Sequence, residues 1–397
     1  MSPTMPGRSP ETTPVVVAAC RTAIGRAHAE RGLFRHVRGD ELAAAALAAA
    51  VKRSAVDPAT IDDVILGVTQ QRGELGGNAA RTAALLAGLP FSAAGATVNR
   101  LCGSGLEAIA LAAHAIMAGA ETVHVVGGVE HMQHLPMESA IDVHPQVNAR
   151  SSKGMLSMGL TAEHLAAANR ISRRAQESYA LESHRRAAAA ADAGLFDDEL
   201  VTVLGHDEAG AVVEAARDQS IRAVTSLEAM AALEPAFLPA IGTVTAATSA
   251  PLSDGAAALV VMQAAEAARQ GLAPLARIVA TAVAGVAPAA MGTGPIAATR
   301  KLLARTGLAI ADIDLVELNE AFAAQAIHCG AELGLDPGRV NVRGGALAIG
   351  HPLGASGARI ATTLLHALAA EGKRLGLAAM CIGLGQGIAV LFERVEA

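Results

Sequence analysis

Tryptophan is absent from this chain of 397 residues, tyrosine occurs once, and aromatics make up only 2% of it. A core so poor in large rings has to close by the approach of backbones, which suits helices packed on sheets. Alanine supplies much of the 52% hydrophobic content. Cysteine is scarce as well: the four, at 20, 102, 329 and 381, form no CxxC pair and no zinc-ligand spacing. Such isolated thiols fit a reducing, cytoplasmic compartment. Mean hydropathy is +0.38, yet no uninterrupted apolar run reaches about 18 residues, which argues against a membrane-spanning helix. There is no basic run and no aromatic-interleaved basic patch, and the net charge is −6, so nucleic-acid binding is set aside. The opening MSPTMPGRSPETT lacks the basic start and apolar stretch of a secretory leader and reads as a frayed tail.

What is present is a repeat. SAVDPATIDDVILGV from Ser54 and TGLAIADIDLVELNE from Thr306 share one grammar: a helix end, an Asp-bearing turn and a short strand. Each leads to an alanine-rich helix, Gly77 to Leu89 and Ala321 to Leu335, and then to a strand carrying Val98-Asn99 or Val340-Asn341. Each strand gives way to a glycine-rich turn and another helix, GSGLEAIALAAHAI and GASGARIATTLLHAL. Alternation of this kind predicts an α/β fold with a parallel-rich sheet and helices on its faces. The second unit closes with LAAMC, the turn GLGQG and IAVLFERV, a hairpin signature. In the first unit TVHVVGG finds its partner, AAALVVM, only after Gly255. The expected architecture is therefore two similar βαβαβαββ halves with an inserted loop domain. The boundaries are 14–129 completed by 246–270, the insert at 130–245, and 271–397. Long excursions of this sort usually carry function.

Three turns carry residues fit for chemistry. Cys102 lies between a strand and a small-residue helix, where the helix dipole and free amides favour a thiolate. A small buried core thiol is the competing reading. In the equivalent turn of the second half, GGALAIGHPLGASG, His351 is boxed in by Gly350 and Pro352. If the two turns face each other, an imidazole meets a thiol, the pair that makes a nucleophile near neutral pH. Cys381 begins CIGLGQG at a strand end, placed either for proton exchange with a substrate or as a core thiol. Asn319, in NEAFAAQ, either caps the next helix or holds a water or the His351 ring. A dinucleotide site is disfavoured, because RTAIGR after the first strand lacks G-x-G-x-x-G.

Taken together, VNRLCGSG, NEAF, GHPLGASGAR and CIGLGQG resemble the thiolase family, in that order and over nearly the whole chain. VGGVEHM, MGLTAE and SDGAAA are similar too, and HLPM and GLAAMCIGLGQGIAVLFERV lean towards the β-oxidation 3-ketoacyl-CoA thiolases. The resemblance implies a thiolase-like fold and the reversible cleavage of 3-ketoacyl-CoA by CoA through a Cys102 acyl-enzyme. It makes His351 the base, Cys381 the acid/base and Asn319 the holder of a water. His351 and that water would serve the thioester oxygen, and the backbone amides of Cys102 and Gly383 the acyl oxygen. Arg222 matches a position near the adenine of CoA, and Met158, Phe237 and Ala321 match the pantetheine channel. The pattern departs at Ala250, where some members have a serine that contacts CoA, and Ser249 stands as a substitute. His131 and His134 are assigned no catalysis and are expected at the pocket mouth or in subunit contacts.

The resemblance also implies no metal and no resident cofactor, CoA and acyl-CoA being substrates. A homodimer or homotetramer is expected, with a hydratase/dehydrogenase subunit as a further partner in β-oxidation. Two alternatives stay open: a biosynthetic acetoacetyl-CoA thiolase using the same residues, and a non-catalytic acyl-CoA or lipid-binding relative. Retention of Cys102, His351 and Cys381 weighs against the second.

Overall fold

The computed structural model describes residues 9–137 and 142–395. The strands are β1 (Pro14–Thr22), β2 (Gly25–Arg26), β3 (Asp63–Gly67), β4 (Ala96–Val98), β5 (Val123–His131), β6 (Leu200–Val201), β7 (Leu204–His206), β8 (Val212–Glu214), β9 (Ser253–Gln263), β10 (Ala276–Gly285), β11 (Leu315–Leu318), β12 (Leu375–Ile382) and β13 (Gln386–Arg394). The first eight helices are α1 (Gly39–Ser54), α2 (Ala79–Leu86), α3 (Ser104–Ala118), α4 (Pro145–Arg150), α5 (Met158–Ala168), α6 (Arg173–Asp192), α7 (Leu227–Ala231) and α8 (Ala264–Arg269). Four more follow: α9 (Gly294–Thr306), α10 (Ala323–Leu333), α11 (Ala346–Ile349) and α12 (Leu353–Ala370).

The main sheet runs in the order β11-β12-β13-β10-β1-β9-β5-β3-β4. It divides where β1 meets β10 antiparallel, Val15 opposite Arg277. On one side β3 pairs parallel with β4 and β5, and β9 returns antiparallel between β5 and β1. On the other, β11 pairs parallel with β12, and β13 returns antiparallel between β12 and β10. Val340 bridges Val316 in parallel, in the place that β4 takes beside β3. The repeat read in the sequence is thus a repeat of strand order. The sheet is mixed rather than parallel-rich. Each half ends in an antiparallel return strand, and the two returns, β13 and β9, flank the central pair β10 and β1.

β1 and β5 are buried at every position, and β12 likewise, so their apolar runs need no alternation. Between the halves lie α3 and α12, the equivalent helices of the two units, and their apolar faces share one core with strands of both. Their contact is made of glycine. A Cβ on Gly105 would stand 2.5 Å from the Ala358 nitrogen, and one on Gly357 2.3 Å from the Leu106 nitrogen. This is how a chain without tryptophan fills its centre: backbones meet where side chains are missing. Leu101–Ala118 is long and apolar enough to cross a membrane, but it is 56% buried within the fold as this central helix.

Candidate active site

The close contact of α3 and α12 near their first turns fixes what precedes each helix. Before α3 stands Cys102; before α12 stands His351. The Cys102 turn is held in a strained form, with Leu101 at φ 47°. Asn99 supports it by accepting from the Leu101 N–H at 2.8 Å and donating to the Thr69 carbonyl at 3.1 Å. Ser104 accepts from the Arg100 N–H at 2.9 Å and donates to the Leu101 carbonyl at 2.6 Å. A Cβ on Gly103 would lie 2.5 Å from Ile382 Cδ1, so the Cys102 turn abuts the end of β12.

Cys102 is half-buried. Burial pushes its thiol up to about 11, although backbone groups of Gly383 and of Cys102 itself hydrogen-bond the sulfur and pull the other way. The donors that favour a thiolate are thus present, and desolvation opposes them. The resting group is a neutral thiol. Cys381, at the end of β12, is fully buried, and burial together with the neighbouring Cys102 sulfur raises its thiol further.

His351 is buried, and its ring is pushed down to about 3 by that burial and by the Arg359 guanidinium. Nδ1 meets Ser356 Oγ at 2.6 Å. Nε2 is buried without a hydrogen-bond partner among the described residues, so the resting ring is not bonded to the Cys102 thiol. With Nδ1–H given to Ser356, Nε2 is left as the free base. Asn319 follows β11, with its N–H on the Ala379 carbonyl at 2.9 Å. It caps nothing, because α10 begins at Ala323 with Phe322 as its N-cap. Both atoms of its side-chain amide are buried and unpartnered. A buried imidazole nitrogen and a buried carboxamide with no protein partner among the described residues are groups for a ligand or water to complete.

Around Cys381 the chain gathers an apolar cluster of Ala162, Val244, Met291, Ala321 and Phe322, with Met158 and Phe237 against it. Phe237 stands edge-on to Phe322, ring centroids 6.0 Å apart, over Gly159, where any Cβ would strike its ring. Met158 also approaches Gly383: a Cβ there would lie 3.6 Å from its sulfur. Arg222 and Ser249 stand apart from this cluster, lining an open cleft with Pro251 and Leu347. Pro251 joins the cleft to the His351 turn by accepting the His351 N–H at 3.4 Å. Ser249 donates to the Thr245 carbonyl at 2.9 Å, and the Ala250 N–H bonds the Ala321 carbonyl at 3.0 Å.

Three supporting residues escaped the sequence reading. Ser356 orients the ring. Glu130 is wholly buried and accepts from Thr69, Gln70 and the Gly354 N–H, tying β5 to the first turn of α12. The only signal for it was a carboxylate ending an apolar strand. Glu320 accepts from Ser183, Asn341 and the Leu347 N–H, fastening α6 and α11 beside Asn319.

His131 and His134 form a separate knot. Their ligand atoms and those of Glu74 lie within 4.8 Å of one another. His134 Nδ1 meets Glu74 Oε1 and Nε2 meets the Arg35 carbonyl, each at 3.0 Å. Both partners are acceptors, so the ring is an imidazolium, stacked at 3.7 Å on His131. His131 in turn accepts the His134 N–H and donates to the Phe34 carbonyl. The nitrogens are committed to holding loops together.

Residues 14–265 match the thiolase N-terminal domain and residues 272–394 the thiolase C-terminal domain. A 3-ketoacyl-CoA thiolase of Shewanella loihica is 51% identical over 384 residues, covering 96% of this chain and 99% of the relative. One from Erwinia tasmaniensis is 50% identical over 385 residues with the same coverage. The crystal structure of the Bacillus anthracis acetyl-CoA acetyltransferase superposes with a TM-score of 0.88 at 40% identity, covering 96% of this chain and 99% of that one. With thiolase domains matched over residues 14–265 and 272–394 and relatives half identical over nearly the full length, this chain belongs to the thiolases.

Proposed function

We propose that this protein is an acyl-CoA:acetyl-CoA C-acyltransferase that cleaves 3-ketoacyl-CoA with CoA in fatty acid β-oxidation. The observation that carries the reading is a set of buried groups with no partner among the described residues, His351 Nε2 and both atoms of the Asn319 amide, in a fold that packs the first turns of α3 and α12, after Cys102 and His351, against each other. In the first half-reaction His351 Nε2 takes the Cys102 proton and the sulfur attacks the keto carbon. The C2–C3 bond then breaks, its electron pair passing to an acetyl-CoA enolate that Cys381 protonates. In the second, CoA gives its thiol proton to Cys381 and attacks the acyl-enzyme, and the departing Cys102 sulfur recovers its proton from His351. Each proton borrowed is returned.

Burial holds both groups neutral at rest, the thiol raised to about 11 and the imidazole lowered to about 3, so bound substrate has to narrow that gap before Nε2 takes the proton. The Gly383 and Cys102 backbone donors at the sulfur suit the acyl oxygen, and Asn319 with His351 suits the thioester oxygen. We also propose that pantetheine lies along Met158, Phe237 and Ala321, and that the nucleotide end of CoA occupies the cleft at Arg222 and Ser249. No metal or resident cofactor enters the reaction. A cytoplasmic homodimer or homotetramer, with or without a hydratase/dehydrogenase subunit, completes the proposal. Phe91, 87% exposed in the turn leading to the open edge strand β4, supports an apolar partner there.

The likeness to an acetyl-CoA acetyltransferase favours a second reading, condensation of two acetyl-CoA to acetoacetyl-CoA by the same residues. Assay of acetoacetyl-CoA and of a long-chain 3-ketoacyl-CoA separates them. Cleavage of the long substrate, lost in Cys102→Ala, bears out the first. Activity on acetoacetyl-CoA alone selects the second. Inactivity of folded, reduced protein on both overturns each.

A further inference from the structure

The cleft has a side that the mechanism does not use. Besides Arg222 it is lined by Arg26, His184 and Ser220. Arg26 comes from β2, a two-residue strand paired with the start of β9, Arg26 opposite Ser253. Its backbone N–H is fastened to Gln219 Oε1 at 2.9 Å. Among the described residues neither the Arg26 nor the Arg222 guanidinium forms an ion pair with a carboxylate.

Two further groups point to what the cleft takes. Ser220 is only 5% exposed, and its hydroxyl is buried with no hydrogen-bond partner among the described residues. His184 Nδ1 accepts the Arg222 N–H at 3.2 Å, so its proton sits on Nε2. Burial and the Arg222 charge push that ring down to about 4, keeping it a neutral donor. Two unpaired cations, an unsatisfied hydroxyl and a neutral N–H around one cleft match the oxygens of a phosphate. A carboxylate nearby would have made the site repel such a group. The nearest polar lining, Thr225 and Ser249, is uncharged.

We propose that Arg26 and Ser220 form, with Arg222, a phosphate-binding subsite for the nucleotide end of CoA, and that Arg26 is a specificity residue for that phosphate. The inference deepens the functional reading and rests on it for the identity of the ligand. Arg26 has no part in the bond-making steps. It selects which thiol carrier is held.

Calorimetric binding to the full chain tests this without depending on turnover. The probes are CoA, dephospho-CoA and pantetheine, against wild type, Arg26→Gln and Arg26→Lys. The expected result is that R26Q weakens CoA about tenfold, that R26K restores part of the loss, and that the R26Q penalty vanishes with pantetheine. A penalty that also vanishes with dephospho-CoA assigns Arg26 to the 3′-phosphate; one that persists assigns it to the diphosphate. An equal penalty for pantetheine, or none for CoA, overturns the subsite. Wild type that binds CoA but cleaves no 3-ketoacyl-CoA would sink the acyltransferase reading and leave the subsite standing. Ser220→Ala is a second variant, expected to weaken CoA by a few-fold in the same phosphate-dependent way.

Discussion

The two halves solve the same topological problem differently. In the C-terminal half β12 returns as β13 through residues 383–385 alone, with Leu384 and Gly385 both at positive φ. In the N-terminal half the equivalent return, β5 to β9, encloses residues 132–252. The tight turn gives chemistry. It holds Cys381 at a strand end and aims the Gly383 backbone at the Cys102 sulfur. The long excursion gives recognition. From it come Met158 and Phe237 beside Cys381, and Arg222, Ser220 and Ser249 in the cleft. A duplicated fold can thus keep one copy short for rigidity and open the other for binding, because a sheet tolerates a long loop wherever both strands stay paired.

The comparison extends to the helix starts. α3 follows a half-buried thiol and α12 a buried imidazole, and the two helices touch through Gly105 and Gly357. Breaking one side should show how unequal their roles are. Cys102→Ala is expected to lower thiolysis by at least about a thousandfold, because no other thiol occupies the first turn. Steady-state cleavage of a 3-ketoacyl-CoA measures it. A residual rate within tenfold of wild type would assign the nucleophile elsewhere.

Forcing the helices apart comes next. Gly105→Val puts a branched side chain against the Ala358 backbone and is expected to cost about 1–3 kcal/mol, read by urea unfolding. Gly330→Ala is the control. It lies inside α10, where an added Cβ meets nothing within 4 Å, and should be neutral or stabilising by up to about 1 kcal/mol. Equal losses at both positions would remove the close-contact argument.

Ser356→Ala sharpens the histidine side. Without its Oγ, Nδ1 loses the partner that fixes the tautomer, and turnover should fall about ten- to hundredfold. A merely structural role would leave the pH profile unchanged. In the wild type His351 is neutral above about 3 and Cys102 protonated below about 11, so neither group limits kcat/KM of the free enzyme between pH 6 and about 9. Loss of that plateau in Ser356→Ala marks it as a positioning residue.

The smallest effects are on stability against pH, and the two kinds of histidine should differ in sign. His351 is depressed when folded, so between about 3 and its ordinary unfolded value the unfolded chain binds more protons. Stability therefore falls as pH drops through that window. His134 is the opposite: burial opposes its charge, but Glu74 and the Arg35 carbonyl raise it above the ordinary imidazole range. The folded chain holds that proton longer, so its contribution is complete below the unfolded value and lost as pH rises through the raised one. Because the His134 side chain is 25% exposed, about 0.5 kcal/mol is expected. His134→Gln should remove this alkaline component from unfolding curves measured at stepped pH. A curve unchanged from wild type would show that the ring is not an imidazolium.

The amino-acid sequence by itself determined the repeat, the helices and strands of both halves, and the turns that carry Cys102, His351 and Cys381. Those are local or periodic signals, set by glycine, alanine and apolar runs within one unit. It also marked the excursion after β5, since a strand without its partner is visible as a gap. What it left undecided depends on residues far apart in the chain. The sheet is mixed because β9 inserts between β5 and β1 and β13 between β12 and β10, pairings that the local pattern does not specify. Cys102 stays a neutral thiol because desolvation beats the helix terminus, and desolvation is a property of everything packed around it. Glu130 reaches the first turn of α12 from 224 residues away in the chain, and Arg26 meets Arg222 only through the fold of the cleft. Charge, burial and unfinished hydrogen bonds are sums over neighbours in space, and only the tertiary structure decides who those neighbours are.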